Sequence, residues 1–113
     1  MNEIKPTVTF EDFAKLDLRV GRIESAEEVP DSDKLIKLII DIGSEKRQII
    51  AGIKKWYGTA DLVGKQIVIC VNLAYRKLAG LESQGMLIAA HTEDGGAVIL
   101  IPDKEVFNGS HLS

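Results

Sequence analysis

Apolar and polar residues alternate along much of this chain with the period of two that marks strands packed on a core by one face. Leu18 and Val20 alternate with Asp17 and Arg19, but the next apolar residue after Gly21 is Ile23, so the pattern slips by one. A glycine at that break predicts a bulge that bends the strand sharply. In residues 35–42, Ile36, Leu38, Ile40 and Ile42 share one face, while Lys37 and Asp41 stand opposite with Leu35 and Ile39. The half-apolar outer face predicts a covering segment or a second chain. Gly43-Ser-Glu45 turns into a third strand at residues 46–51. Residues 66–73 are apolar on both parities, which predicts a fourth strand buried on both sides. Residues 86–90 form the fifth, and Asp94-Gly-Gly96 turns into a further strand at 97–101, ended by Pro102.

Two short segments carry helical signals instead. Thr9 is placed to cap a helix, with Asp12 answering from the third position, and Phe10, Phe13 and Ala14 fall on one face that should dock on the body. Residues 1–8 read as a loose arm before a single domain at 9–113. Thr59 is a candidate cap for a helical turn through Asp61, Leu62 and Val63, stopped by Gly64. Trp56 and Tyr57, just before it, are expected to plug one end of the core. The acidic stretch around Pro30 is a loop. Three strands, a short helix and two strands is the order of an all-β, five-stranded OB-fold barrel, here with an N-terminal helix and a C-terminal extension. A β-sandwich has no natural place for the inserted helix.

That order gives special weight to residues 72–86, Asn-Leu-Ala-Tyr-Arg-Lys-Leu-Ala-Gly-Leu-Glu-Ser-Gln-Gly-Met. They link the fourth and fifth strands, where this barrel places one of its two binding loops; the other is the Pro30 loop. A long connection with paired cations and an aromatic, set on a rigid sheet, suits ligand binding.

Charge is distributed unevenly. Residues 1–33 carry four Lys/Arg against nine Asp/Glu, residues 34–86 nine against four, and residues 87–113 one against four. The net charge of −3 therefore conceals a basic middle, and it is the local face that governs phosphate binding. Cys70, the single cysteine, sits in an apolar run and leaves no disulfide or metal framework, which fits a reducing compartment. Without a signal-peptide pattern or a membrane-length apolar run, the expected location is the cytoplasm and the expected partners do not include a membrane.

The ordered segments resemble one family. Asp12-Phe-Ala-Lys-Leu-Asp-Leu-Arg-Val-Gly-Arg-Ile23, Asp33-Lys-Leu35, Arg47-Gln-Ile-Ile-Ala-Gly-Ile53 and Leu62-Val-Gly-Lys65 lead to Asn72-Leu73, Arg76-Lys77-Leu78, Gly80, Ser83 and Gly85-Met86. With Asn108-Gly-Ser110, the likeness runs from about residue 10 to the end. It is to the tRNA-binding domain of the methionyl-tRNA synthetase C-terminal or beta-subunit type and of the tyrosyl-tRNA synthetase appendage. Free-standing bacterial tRNA-binding proteins and endothelial-monocyte-activating polypeptide share it. The resemblance implies shape-selective tRNA binding with little sequence preference, as an accessory to an aminoacyl-tRNA synthetase, methionyl first. It also implies a homodimer, as in free-standing members, which would cover the apolar outer face. One departure stands out: Tyr75 occupies the place of the family's usual proline, so rigidity is lost or a ring is gained that stacks on an unpaired base.

Binding folded RNA by its backbone calls for spaced cations and, in places, an aromatic platform. Arg76 suits bidentate phosphate contact and Lys77 acts as a point charge. Lys34 and Lys37 extend the track from the neighbouring loop, with Arg47, Lys54 and Lys55 as weaker candidates. Asn72 holds the loop or meets a base or ribose; Ser83 donates to a phosphate or caps the loop. Gly80 and Gly85 suit unusual backbone angles, and Met86 suits an apolar gap or a dimer contact as well as a ligand. No metal spacing links His91, His111 and Cys70, and no nucleophile or phosphate-cradling motif appears, so no cofactor, metal or catalytic residue is expected. A CsaA-type export chaperone binding unfolded polypeptide is the alternative on the same fold.

Overall fold

The computed structural model describes residues 3–113, so the first two residues of the expected arm lie outside the described part. Residues 3–9 have no regular structure and are exposed. Helix α1 (Phe10–Ala14) starts at the expected cap, with the Thr9 hydroxyl accepting from the Asp12 N–H, but the Asp12 carboxylate accepts from Lys15 Nζ at 3.3 Å instead of answering the cap. It does not dock: no residue of α1 is buried, and Phe10 is 75% exposed. Five residues make one turn and a half, too little surface to bury a face.

The sequence then forms β1 (Leu18–Glu28), β2 (Ile36–Asp41), β3 (Lys46–Ala51), α2 (Thr59–Leu62) and β4 (Gln66–Cys70). The second half consists of β5 (Arg76–Leu78), β6 (Leu81–Ser83), β7 (Met86–Leu87), β8 (Ala89–His91) and β9 (Ala97–Ile99). One antiparallel sheet runs β3-β2-β1-β4-β7. Its two edges meet at a seam of side-chain and main-chain bonds. Gln84 N–H donates to Gln48 O at 2.7 Å, Gln48 N–H donates to the Gln84 side-chain carbonyl at 3.0 Å, and Ile50 N–H donates to Ser83 Oγ at 3.0 Å. The result is a nearly closed five-stranded barrel of the OB type, as the order of elements predicts.

Ile23, Ile36, Leu38, Ile40, Ile49, Leu62, Ile67 and Ile69 fill it, all below 2% exposed. All five residues of β4 are buried, as its unbroken apolar run requires. Helix α2 plugs one end with Leu62, and Tyr57 packs beside it while its hydroxyl accepts from Ile99 N–H at 3.1 Å. Trp56 stays 45% exposed, so of the expected pair only Tyr57 contributes to the plug. The cap of α2 is Gly58, not Thr59, and no side chain bonds the helix start.

The strand bend lies elsewhere than Gly21. β1 pairs with β4 unbroken from Leu18 to Arg22, and its register on β2 shifts between Ile23 and Ser25. Gly21 instead permits close approach, since a Cβ there would sit 2.5 Å from Ile40 Cγ2. Gly21 and Ile23 thus face the core together, which is why the apolar pattern changes phase. The predicted fifth strand is broken at Ile88 into β7 and β8, and β8 pairs with β9 as a separate hairpin.

The C-terminal extension lies along the free edge of the first half of β1. Val20 N–H donates to Ser110 O at 2.9 Å, Gly109 N–H to Val20 O at 2.7 Å and Leu112 N–H to Leu18 O at 2.9 Å. The Gln66 amide clamps it, donating to Val106 O and Asn108 Oδ1 and accepting from Val106 N–H. Gly109 has φ +94°, and a Cβ on it would stand 2.2 Å from Ile42 O. Gly80 has φ +78° with nothing within 4 Å. We expect Gly80→Ala to cost only the left-handed backbone penalty, about 1 kcal/mol. Gly109→Ala should exceed it by at least ~1 kcal/mol, because steric displacement of the extension adds to that penalty. Urea unfolding midpoints of the two variants test the difference.

Candidate nucleic-acid interface

Residues 72–86 are not an open loop. Arg76 pairs with Ser83, Lys77 with Glu82 and Leu78 with Leu81, forming a hairpin whose turn, Ala79-Gly80, has φ of +51° and +78°. Two successive positive φ values are the type I′ geometry that matches strand twist in a two-residue turn. Because side chains alternate along a strand, Arg76 and Lys77 project from opposite faces of the hairpin. Arg76 and Leu78 line a groove of about 370 Å³ whose wall is Ile50–Ile53 of the β3 end, with Met86, Leu87 and His91 completing it. Lys77 lies on the other face opposite Glu82, whose carboxylate accepts from the Gln84 side chain at 3.2 Å.

Both Arg76 and Lys77 are exposed, and among the described residues no acid lies within 4 Å of either. Lys34 is also exposed, with no acid within 4 Å among the described residues. Its carbonyl accepts from Lys54 N–H at 3.1 Å, which sets it beside the Ile53 end of the same groove. Lys37 and Lys54 are brought to the same region but tied to the chain's own acids. Lys37 Nζ is 3.6 Å from Glu27, its cross-strand neighbour, and Lys54 Nζ is 3.5 Å from Glu28 while donating to Ser32 O. Met86, at 46% exposure, lies in the groove between the two ends.

Asn72 and Ser83 are used inside the chain. The Asn72 carbonyl oxygen accepts from Asp17 N–H at 2.8 Å and its amide donates to Lys15 O at 2.7 Å, fastening the exit of α1 to the end of β4. Ser83 is 4% exposed; besides receiving Ile50 N–H it donates to Gly85 O at 3.1 Å. Gly85, at φ +142°, passes so close to Cys70 that a Cβ would stand 2.7 Å from its carbonyl.

Tyr75 stands at the root of the hairpin, 52% exposed, with the Arg47 guanidinium 5.9 Å from its ring centroid. Arg47 is not free to meet a phosphate. It donates to Val71 O at 2.9 Å, to Gln84 O at 3.0 Å and to Glu45 at 2.8 Å. This role is invisible in sequence, because its partners lie 24 and 37 positions away. Beside Tyr75 a rim cavity of about 390 Å³ is lined by Asp17, Arg19, Ser44, Glu45, Arg47 and Asn72. Its lining includes a bidentate Arg19–Asp17 pair at 2.9 and 3.0 Å, with His111 Nδ1 3.6 Å from the same carboxylate. The bond from Arg19 holds Asp17 below the usual carboxylate range. No cluster of three or more metal-ligating side chains occurs among the described residues.

The sequence matches the family model described as "Putative tRNA binding domain" over residues 18–111. It is 51% identical over 110 residues to the methionine–tRNA ligase of Archaeoglobus fulgidus, covering 97% of this chain and 17% of that one. To the methionine–tRNA ligase of Thermotoga maritima it is 49% identical over 106 residues, covering 94% and 17%. The chain thus spans about one sixth of the length of these curated relatives. The fold superposes on the crystal structure of a MetRS related protein from Pyrococcus horikoshii with a TM-score of 0.91 at 38% identity, covering 96% of this chain and 100% of that one. On the chaperone CsaA of Bacillus anthracis the TM-score is 0.88 at 39% identity, again covering 96% and 100%.

Two outcomes follow from these contacts. Ser83→Ala strands the buried Ile50 N–H and should lower stability by about 1–3 kcal/mol, read from the urea midpoint; an unchanged midpoint would show the hydroxyl to be dispensable. For Asp17, the depressed folded-state pKa means its contribution is complete above the usual carboxylate range and disappears as pH falls through the lowered value. Asp17→Asn should therefore be less stable than the parent at pH 7, by about 1 kcal/mol or less for a half-buried pair at the barrel rim. The two should converge at strongly acidic pH; a gap that persists there would exclude ionisation as its source.

Proposed function

This chain belongs to the tRNA-binding domain family, and on that premise we propose that it is a non-catalytic module that holds folded tRNA by its sugar–phosphate outline in support of an aminoacyl-tRNA synthetase, the methionyl enzyme first. One observation carries the reading: Arg76 in the groove, Lys77 on the other face of the same hairpin and Lys34 beside the Ile53 end of the groove are exposed, with no acid within 4 Å among the described residues. Cations already paired at home must lose that partner to meet a phosphate; these three need not. Lys37 stays at the margin for the same reason. The mechanism is one of effective concentration, in which grip on the tRNA body keeps the acceptor near a catalytic partner. The 51% identity to a stretch of a methionine–tRNA ligase supports the choice of synthetase.

The reading includes a homodimer in the cytoplasm. Exposed apolar side chains favour the dimer, and they sit on α1 and the C-terminal segment, at Phe10, Ile101 and Phe107, more than on the outer face of β2. No helix among the described residues is long and apolar enough to cross a membrane. Polypeptide binding is the second reading, favoured by the 39% identity to the chaperone CsaA of Bacillus anthracis.

One experiment separates them. Binding of a tRNA transcript and of an unfolded polypeptide is measured against salt for the parent and for Arg76→Ala with Lys77→Ala. The tRNA reading expects log affinity to fall linearly with log salt. The double variant should lower the magnitude of that slope by roughly 1.4 to 1.8 and weaken different tRNAs alike. Salt-insensitive capture of polypeptide, with tRNA ignored, would establish the second reading instead.

A further inference from the structure

We propose that the rim cavity beside Tyr75 is a nucleobase subsite, in which one unpaired base of the bound RNA stacks on the open face of the Tyr75 ring. The proposal deepens the tRNA-binding reading and rests on it. Three features of the structure lead here. First, Tyr75 is half exposed although it stands at the root of a hairpin, where burial against the barrel is close at hand. Second, the cation against the ring is fixed by groups other than the ring: two main-chain carbonyls and the Glu45 carboxylate hold the Arg47 guanidinium in place. A cation–π contact at 5.9 Å from a locked guanidinium orients the aromatic ring without covering its other face.

Third, the space next to the ring is a concavity of about 390 Å³, roomy enough for a single planar heterocycle, and its walls mix charged and polar side chains with the apolar Ile42, Val71, Leu73 and Ala74. Within those walls the charges are largely spent on one another, Arg19 on Asp17 and Arg47 on Glu45, so the cavity is no phosphate trap. The Asn72 amide is likewise committed to Asp17 and Lys15. Of the lining side chains, the Tyr75 ring is the one that offers a π-face, and every base has a face to match it. Stacking of that kind discriminates an unpaired nucleotide from a duplex without reading its identity. The unpaired cations Arg76 and Lys77 follow directly in the chain, where the flanking phosphates of an extruded nucleotide would run.

The test uses an unmodified tRNA transcript and a blunt RNA duplex without unpaired nucleotides, titrated against the parent, Tyr75→Ala, Tyr75→Phe and Tyr75→Trp across a salt series. Tyr75→Ala should weaken tRNA binding by about 5- to 100-fold at every salt concentration, leaving the salt slope unchanged. Tyr75→Phe and Tyr75→Trp should stay within about threefold of the parent, because they keep the face. The blunt duplex should bind the parent and Tyr75→Ala equally. If Tyr75→Ala binds tRNA as the parent does, if Tyr75→Phe loses as much as Tyr75→Ala, or if the duplex registers the same loss, the subsite is overturned while tRNA binding by the cations stands. A parent protein that ignores tRNA would overturn both.

Discussion

Closure of the barrel between β3 and the segment after the hairpin is the constraint on which the rest of this structure depends. An OB-type sheet has two edges, and unpaired edges are costly when buried and hazardous when exposed. Here one edge is closed by an amide pair, Gln48 and Gln84, a hydroxyl, Ser83, and an arginine, Arg47, whose donors reach two main-chain carbonyls across the gap. These bonds fix where β6 lies against β3, and so the position of Arg76, of Lys77 and of the ring of Tyr75. A flexible 15-residue loop would have to be ordered on binding at an entropic cost for each residue; a hairpin stitched to the barrel has met that cost in folding.

The fold was legible from alternation alone where strands are long and their faces unequal. β2 and β3 appear within a residue of their expected limits, because Ile36, Leu38 and Ile40 leave little choice of register. The phase change at Gly21 was visible, but its cause was not. Either a bulge or a close approach changes the parity of apolar residues, and only the distance from Gly21 to Ile40 tells them apart. Thr59 has the chemistry of a cap, yet Gly58 takes the position in an extended conformation, φ −80° and ψ 152°, and Thr59 is already the first residue of the helix. The docking expected of α1 failed for want of length.

At the site, residue type pointed to the right segment but could not assign its parts. Short local motifs register in sequence; bonds between residues dozens of positions apart do not. Arg47 and Arg76 look alike in the chain, and what divides them is that Arg47 finds Val71, Gln84 and Glu45 while Arg76 has no acid within 4 Å among the described residues. The same sorting separates Lys34 from Lys37. Asn72 and Ser83, each open to two interpretations in sequence, have their polar atoms occupied by the structure itself.

This sorting also explains how a chain of net charge −3 can face a polyanion. Acids within ion-pair reach of a cation, as Glu27 is of Lys37 at 3.6 Å, cancel at short range and contribute little field beyond about 8 Å at physiological salt. Arg76 then dominates the field in the groove, while Lys77 shares the other face of the hairpin with Glu82. Since Arg76 and Lys77 leave the hairpin on opposite faces, they are poorly placed to converge on one phosphate. In the proposed interface they meet separate parts of a backbone that passes on both sides of the hairpin. A continuous straight duplex presents its phosphates along one smooth surface, whereas a folded RNA offers strands converging from different directions. Selectivity for shape over sequence would then follow from the alternation of two adjacent residues on a strand, with no base edge read at all.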